Sequence, residues 1–272
     1  MTTFPTLTPF LNELHKTSRL RVWSIVVTIF GDLVQPRGTP ISTQELLQLT
    51  DAIGIEGNAL RTAMSRLAKE GWLTRHKQGR TSAYSLSKSG TNTFLAASER
   101  IYNPHFFSPN DQWHLAIYNE PIDPKTIDHA SSFQINKTTV LSQDPLVGKD
   151  YLALSATIDD MPDWVKEQLI PQSLSDNYQT LHHLLQTIDR TVLTTLPPLE
   201  AMALRFITIH FWRRLVLRHP LLPKNLTDTF AQEARTHTQV KELYAQIITP
   251  SEQWWETPTA ASGTKHLQQR FR

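Results

Sequence analysis

The sequence contains no cysteine, which removes disulfides, thiolate nucleophiles and Cys-ligated zinc together and fits a reducing cytoplasm. No apolar run is long enough to cross a bilayer: VWSIVVTIF at 22–30 falls well short of the ~20 residues needed. The N-terminal MTTFPTLTPFLNEL has no basic region followed by an apolar one, so a cytoplasmic protein without membrane association is expected. The 11 histidines form no H-E-x-x-H, nor any other compact pair with a carboxylate at helical spacing. His182 and His183 are adjacent and point to different faces, so no metal site is expected. G-x-S-x-G, P-loop and G-x-G-x-x-G patterns are missing as well, which leaves nucleophilic, kinase and dinucleotide chemistry without local support. No catalytic residue and no cofactor are assigned. Glycine is scarce, 9 residues against 17 prolines, a balance that suggests many defined stops between elements.

What is present is an ordinary globular composition, 39% hydrophobic and 19% charged over 272 residues, enough for one large domain or two to three small ones. The net charge of +2 conceals an asymmetry. Residues 1–100 hold 12 Lys/Arg against 7 Asp/Glu, a balance of +5, whereas residues 101–272 hold 15 against 18, a balance of −3. Positive charge confined to one segment points to a polyanion partner for that segment, because nucleic-acid affinity rests largely on Lys and Arg displacing phosphate counterions.

Apolar residues at Val22, Ile25, Val26, Ile29, Phe30 and Leu33 recur at three and four, predicting a helix over 20–34 that Pro36, Gly38 and Pro40 stop. Ser42 or Thr43 caps a second helix closed by Gly54, and Asn58 caps a third that ends at Gly71. WLTRHK and RTSAYSL flank Gln78-Gly79 as a hairpin, and a fourth helix runs from about Ser87 to Tyr102. Beyond Pro109, WHLAIYN, TTVLSQDP and YLALSAT read as strands and IDPKTIDHASSF as a helix. From Pro162 only helices are expected, including an almost wholly apolar one at 199–217. The fold class is therefore mainly α with a small α+β middle. It divides into residues 1–103, 104–161 and 162–256, with 257–272 fraying.

In the third helix Leu60, Met64 and Leu67 share one side, while Asn58, Arg61, Thr62, Ser65, Arg66 and Lys69 share the other. Three helices followed by a basic hairpin make the arrangement of a winged helix-turn-helix, with the third helix in the major groove and the wing along the backbone. Arg61 has the reach for guanine O6 and N7. Asn58, Thr62 and Ser65 can exchange hydrogen bonds with bases or phosphates, and Arg66, Lys69, Arg75, Lys77 and Arg80 suit phosphates. The bland alternative is a solvated charged face.

SIVVTIFGDLVQPRG, LRTAMSRLAKEGWL, RTSAYSLSKSG and the distant FWRRLVLRHPLLPKNL resemble the phenylacetic-acid catabolism repressors of the PaaX family over about residues 20–255. The resemblance implies a homodimeric repressor that binds double-stranded operator DNA. It further implies a central ferredoxin-like (Cas2-like) domain, a helical C-terminal domain and release by an aryl-acetyl-CoA thioester, typically phenylacetyl-CoA. The segment SSFQINKTT departs from the family's glycine-rich stretch.

Within the apolar helix at 199–217, Arg205, His210, Arg213 and Arg214 need partners: either acids such as Asp189 and Glu200 or the phosphates of a CoA ligand. His210, Arg213 and Arg214 are thus candidates both for a structural and for a ligand role. Trp212 and Trp254-Trp255 read as core or interface. An alternative function, a metal-dependent nuclease in the middle domain, hangs on the single carboxylate Glu120 after the first strand.

Overall fold

The computed structural model describes residues 4–16, 21–78, 81–104, 106, 112–127, 132–146, 150–222, 231–255, 267 and 269–271. It is mainly helical with two small antiparallel sheets, and its residues fall into two compact units. One unit comprises Met1–Asn103, His182–Arg213 and Thr238–Arg272; the other comprises Pro104–Leu181 and Arg214–His237.

The first unit opens with α1 (Thr8–Lys16) and α2 (Val22–Ile29). The helix expected to stop before Pro36 instead continues through a π-helical turn, Phe30–Val34, into the single turn α3 (Gln35–Arg37). Pro36 sits at the start of α3, and because the chain is helical without a break before it, its missing N–H leaves carbonyls of the preceding turn without their helical donor. The stop comes at Gly38, whose φ of 68° is the left-handed conformation only glycine adopts readily. Gly31 is required for a different reason. A Cβ there would lie 1.8 Å from Cε2 of Phe94, so a side chain would block the close approach of that ring.

The second expected helix is α4 (Thr43–Asp51), and Ser42 caps it in a reciprocal box. Ser42 Oγ accepts from Glu45 N at 3.1 Å and Glu45 Oε2 from Ser42 N at 2.7 Å. The third, α5 (Gly57–Lys69), begins two residues earlier than expected. Its N-cap is Glu56, and Asn58 lies inside the helix rather than capping it. Strands β2 (Leu73–Gln78) and β3 (Thr81–Leu86) pair antiparallel, and β1 (Ile41–Ser42) adds to β3, giving the order β1-β3-β2. Then α6 (Lys88–Tyr102) starts at Ser87, whose Oγ accepts from Gly90 N at 2.9 Å.

In the second unit β4 (Gln112–Tyr118), β5 (Ser132–Asn136), β6 (Thr139–Ser142) and β7 (Tyr151–Thr157) form an antiparallel sheet in the order β5-β6-β4-β7. The helix expected over IDPKTIDHASSF is not formed among the described residues. That stretch holds one 3-10 turn, Pro124–Thr126, and Ser132-Phe133 open β5. Pairing decides this: Phe133 faces Leu141, and Ser132 Oγ donates to Ser142 Oγ at 2.7 Å in a buried site, an alternation that a local reading of the segment does not reveal. Helix α7 (Asp163–Leu169) follows.

The remaining helices, α8 (Gln172–Gln186), α9 (Pro198–Val216) and α10 (Ala231–Glu252), each contribute residues to both units. Every residue from Ala201 to His210 is buried, as an all-round apolar helix requires. No helix among the described residues is long and apolar enough to cross a membrane. The tail expected to fray does not do so throughout: Leu267 is 2% and Phe271 4% exposed.

Candidate nucleic-acid interface

Helix α5 owes its two faces to the spacing of its residues. Leu60, Ala63, Met64 and Leu67 are buried, and the helix packs on α2. Asn58, Arg61, Thr62, Ser65, Arg66 and Lys69 are all exposed. Asn58, though no cap, still orients a neighbour. Its Oδ1 accepts from Arg61 Nη1 at 2.8 Å, holding the guanidinium over the N-terminal turn. Thr62 Oγ1 donates to the carbonyl of Asn58 at 3.0 Å. Arg66 Nε donates to Glu70 Oε1 at 2.7 Å, with its guanidinium 5.6 Å from the centre of the Trp23 ring on α2. Exposed pairs of this kind contribute little stability, so Glu70 is readily exchanged for a phosphate.

The hairpin is pinned to this helical pair. Thr43 Oγ1 at the start of α4 donates to the carbonyl of Ser82 at 2.9 Å. Arg75 and Lys77 are exposed and alternate along β2, hence lie on one face. Ser82 Oγ accepts from Arg75 Nε at 3.0 Å and from Nη2 at 2.8 Å, which fixes the guanidinium across the ladder. Arg80, at the expected tip, lies outside the described residues. Among the described residues no carboxylate pairs with Arg61, Lys69, Arg75 or Lys77.

The C-terminal candidates lie elsewhere and do not come together as a set. Arg213 donates from Nε to Thr28 Oγ1 at 2.7 Å, and from Nη2 to Ser24 O at 2.9 Å and Ser24 Oγ at 2.8 Å. His210 Nδ1 is 3.1 Å from the same Thr28 hydroxyl and the residue is 2% exposed. Both therefore join α9 to α2. Arg214 is exposed. Trp212 is core: its Nε1 donates to Ile101 O at 2.7 Å. Glu120 is exposed beyond the end of β4, and no group of three or more His, Cys, Asp or Glu able to hold a metal occurs among the described residues.

The most densely connected site was not anticipated as a whole. Arg205, 0% exposed, does need acids, but not Asp189 or Glu200. Asp189 caps the turn at Thr191, and Glu200 accepts from Thr6 N at 3.3 Å. Its partners are Asp32 Oδ2, 2.8 Å from Nε, and Glu252 Oε1, 2.6 Å from Nη1. Asp32 further accepts from Tyr102 Oη at 2.6 Å, Tyr244 Oη at 3.0 Å and Arg270 Nη1 at 3.1 Å. Burial pushes both phenols up, Tyr244 to about 12, so they stay protonated and donate. Burial alone would pull the Arg205 guanidinium down, but the carboxylates of Asp32 and Glu252 outweigh it and hold it above its ordinary range. The signal in the sequence was a charged GDLV inside an apolar run, opposite a cationic position in an apolar helix.

Known proteins match this chain in both halves. The family model described as PaaX-like protein covers residues 21–90, and that described as PaaX-like protein C-terminal domain covers residues 171–257. The chain is 26% identical over 236 residues to the transcriptional repressor PaaX of Escherichia coli (strain K12), covering 75% of this chain and 73% of that protein. In fold it is similar to the uncharacterized protein Rv0674 from Mycobacterium tuberculosis, with a TM-score of 0.54 at 18% identity, covering 85% of this chain and 97% of the other.

Proposed function

Because this chain belongs to the PaaX-like family of transcriptional repressors, we propose that it represses an aromatic, phenylacetate-type catabolic operon by binding operator DNA as a homodimer in the cytoplasm. The observation that carries the DNA-binding half is the exposed polar and cationic face of α5, opposite its buried face and beside the basic hairpin. Residues 1–103 act as a winged helix-turn-helix in this reading, with α5 in the major groove and β2-β3 as the wing. Arg61 reads guanine, assisted by Asn58, Thr62 and Ser65. Arg66, Lys69, Arg75, Lys77 and Arg80 neutralise phosphates. Residues 104–161 are the ferredoxin-like (Cas2-like) part, a reading supported by the antiparallel order β5-β6-β4-β7, and residues 162–256 are the helical C-terminal part.

The wing supplies the first test. Arg75→Ala combined with Lys77→Ala is expected to weaken binding to all duplexes alike and to flatten the salt dependence by about 0.9 in log–log slope per lost phosphate contact. Titrations at several salt concentrations measure this. Unchanged affinity means that the hairpin faces solvent.

The effector of the proposal is an aryl-acetyl-CoA thioester, for whose phosphates Arg214 offers an exposed guanidinium on α9, while Arg213 and His210 hydrogen-bond to Thr28 and Ser24. Phenylacetyl-CoA is expected to weaken operator affinity in the wild type, and Arg214→Ala to remove that response while leaving affinity for DNA intact. Arg213→Ala is expected instead to lower the melting temperature, since it strands buried polar groups on α2. A wild type indifferent to phenylacetyl-CoA sinks this choice of effector and leaves DNA binding standing.

A further inference from the structure

We infer that the segment carrying Leu267, Arg270 and Phe271 is a strap that holds the π-helical turn following α2 and thereby sets the pose of α5; the DNA part of this inference rests on the repressor reading above. The reason begins at Pro36, which has no N–H for the carbonyls four and five residues before it, those of Asp32 and Gly31. Arginines replace the missing donor. Arg205 Nη2 donates to Asp32 O at 2.9 Å, Arg270 Nη1 to the same oxygen at 3.1 Å, and Arg270 Nη2 to Gly31 O at 3.4 Å. The strap thus supplies donors that the helix itself cannot make, at its π-helical turn.

The side chains of the strap complete the site. The Arg270 guanidinium lies 3.8 Å from the centre of the Tyr102 ring. Phe271 packs on Tyr102 and Tyr244 with ring centres 5.1 Å apart in both pairs. Leu267 and Phe271 are almost wholly buried. One short segment therefore ties together the α2 end, α6 through Tyr102 and α10 through Tyr244. Helix α2 in turn is the surface on which α5 packs, and its Trp23 stands beside Arg66 of the proposed DNA-contacting face. Fixing α2 removes conformational freedom that α5 would otherwise lose on binding, and preorganisation of that sort appears as affinity.

The test is the full-length chain carrying Arg270→Gln with Phe271→Ala, and separately Arg270→Lys, which keeps the charge but not the planar fork of donors. Duplex selected from a random pool by the wild type is the DNA probe, used well below the melting temperature so that folded protein is measured. The double variant is expected to bind it about 5–150-fold more weakly, the range of ordinary coupling energies. Its salt slope should be unchanged because no phosphate contact is removed. Amide hydrogen exchange over residues 30–38 is expected to accelerate, with Arg270→Lys showing the same changes at smaller size. Lowered stability with unaltered affinity of the folded protein overturns the inference, since it makes the strap merely structural. A wild type that selects no duplex sinks the repressor reading, and exchange over residues 30–38 then decides the strap alone: unchanged rates overturn it.

Discussion

Arg205→Ala is expected to destabilise the protein by about 3–5 kcal/mol, read from urea unfolding as a lowered midpoint at unchanged m. Arg205 is 0% exposed and stands between Asp32 and Glu252, which are themselves buried. Removing the guanidinium leaves both carboxylates in a low-dielectric site with fewer donors, and an uncompensated buried charge is far costlier than the pair is favourable. The same physics forecasts a rescue. Replacing the set together, Arg205→Met with Asp32→Asn and Glu252→Gln, is expected to recover only part of the loss, because Arg270 and Arg37 then lose the carboxylates they meet at 3.1 and 3.7 Å. A single variant within about 1 kcal/mol of the wild type contradicts the assignment of these partners.

Arg61→Ala is expected to weaken operator binding by about 1–3 kcal/mol, roughly 5- to 150-fold, and to relax preference at one base position. The loss is of a different kind from that at the wing. In the proposed reading Arg75 and Lys77 act on phosphates common to every sequence, whereas Arg61 lies on the N-terminal half of α5 with its guanidinium held by Asn58 Oδ1 at 2.8 Å. Prior orientation lowers the entropy lost when a flexible side chain docks on a base edge. Asn58→Ala is therefore expected to shift the same base preference by a smaller amount. Selection from random duplex pools with wild type and variants measures this, and a uniform loss over all sequences would put Arg61 among the phosphate contacts.

Much of the segment proposed to bind DNA was legible because its determinants are local. Ser42 with Glu45, Gly38 and Gly71 at their turns, the three-and-four spacing of Leu60, Met64 and Leu67, and the pairing of β2 with β3 each act within a few residues. Local propensity and periodicity report such features directly. The exposed set on α5 follows from the same spacing. Where local signals were ambiguous the reading failed, as at Asn58, which lies within a helix capped at Glu56, and at Ser132-Phe133, which joins β6 rather than a helix.

What the amino-acid order determined by itself, then, was a basic, two-faced helix beside a basic hairpin, followed by a short sheet and apolar helices, together with a family resemblance in both halves. That Arg205 must find anionic partners, acids or ligand phosphates, was equally plain from its neighbours. Which acids was decided only in three dimensions: Asp32 lies 173 residues away in sequence, and Tyr102, Tyr244 and Arg270 reach it from three further places in the chain. Burial creates the demand for a partner at one position, but long-range packing alone selects which of the chain's 25 acids meets it. The same packing places Leu267 and Phe271, from a stretch with the composition of a fraying tail, in the core.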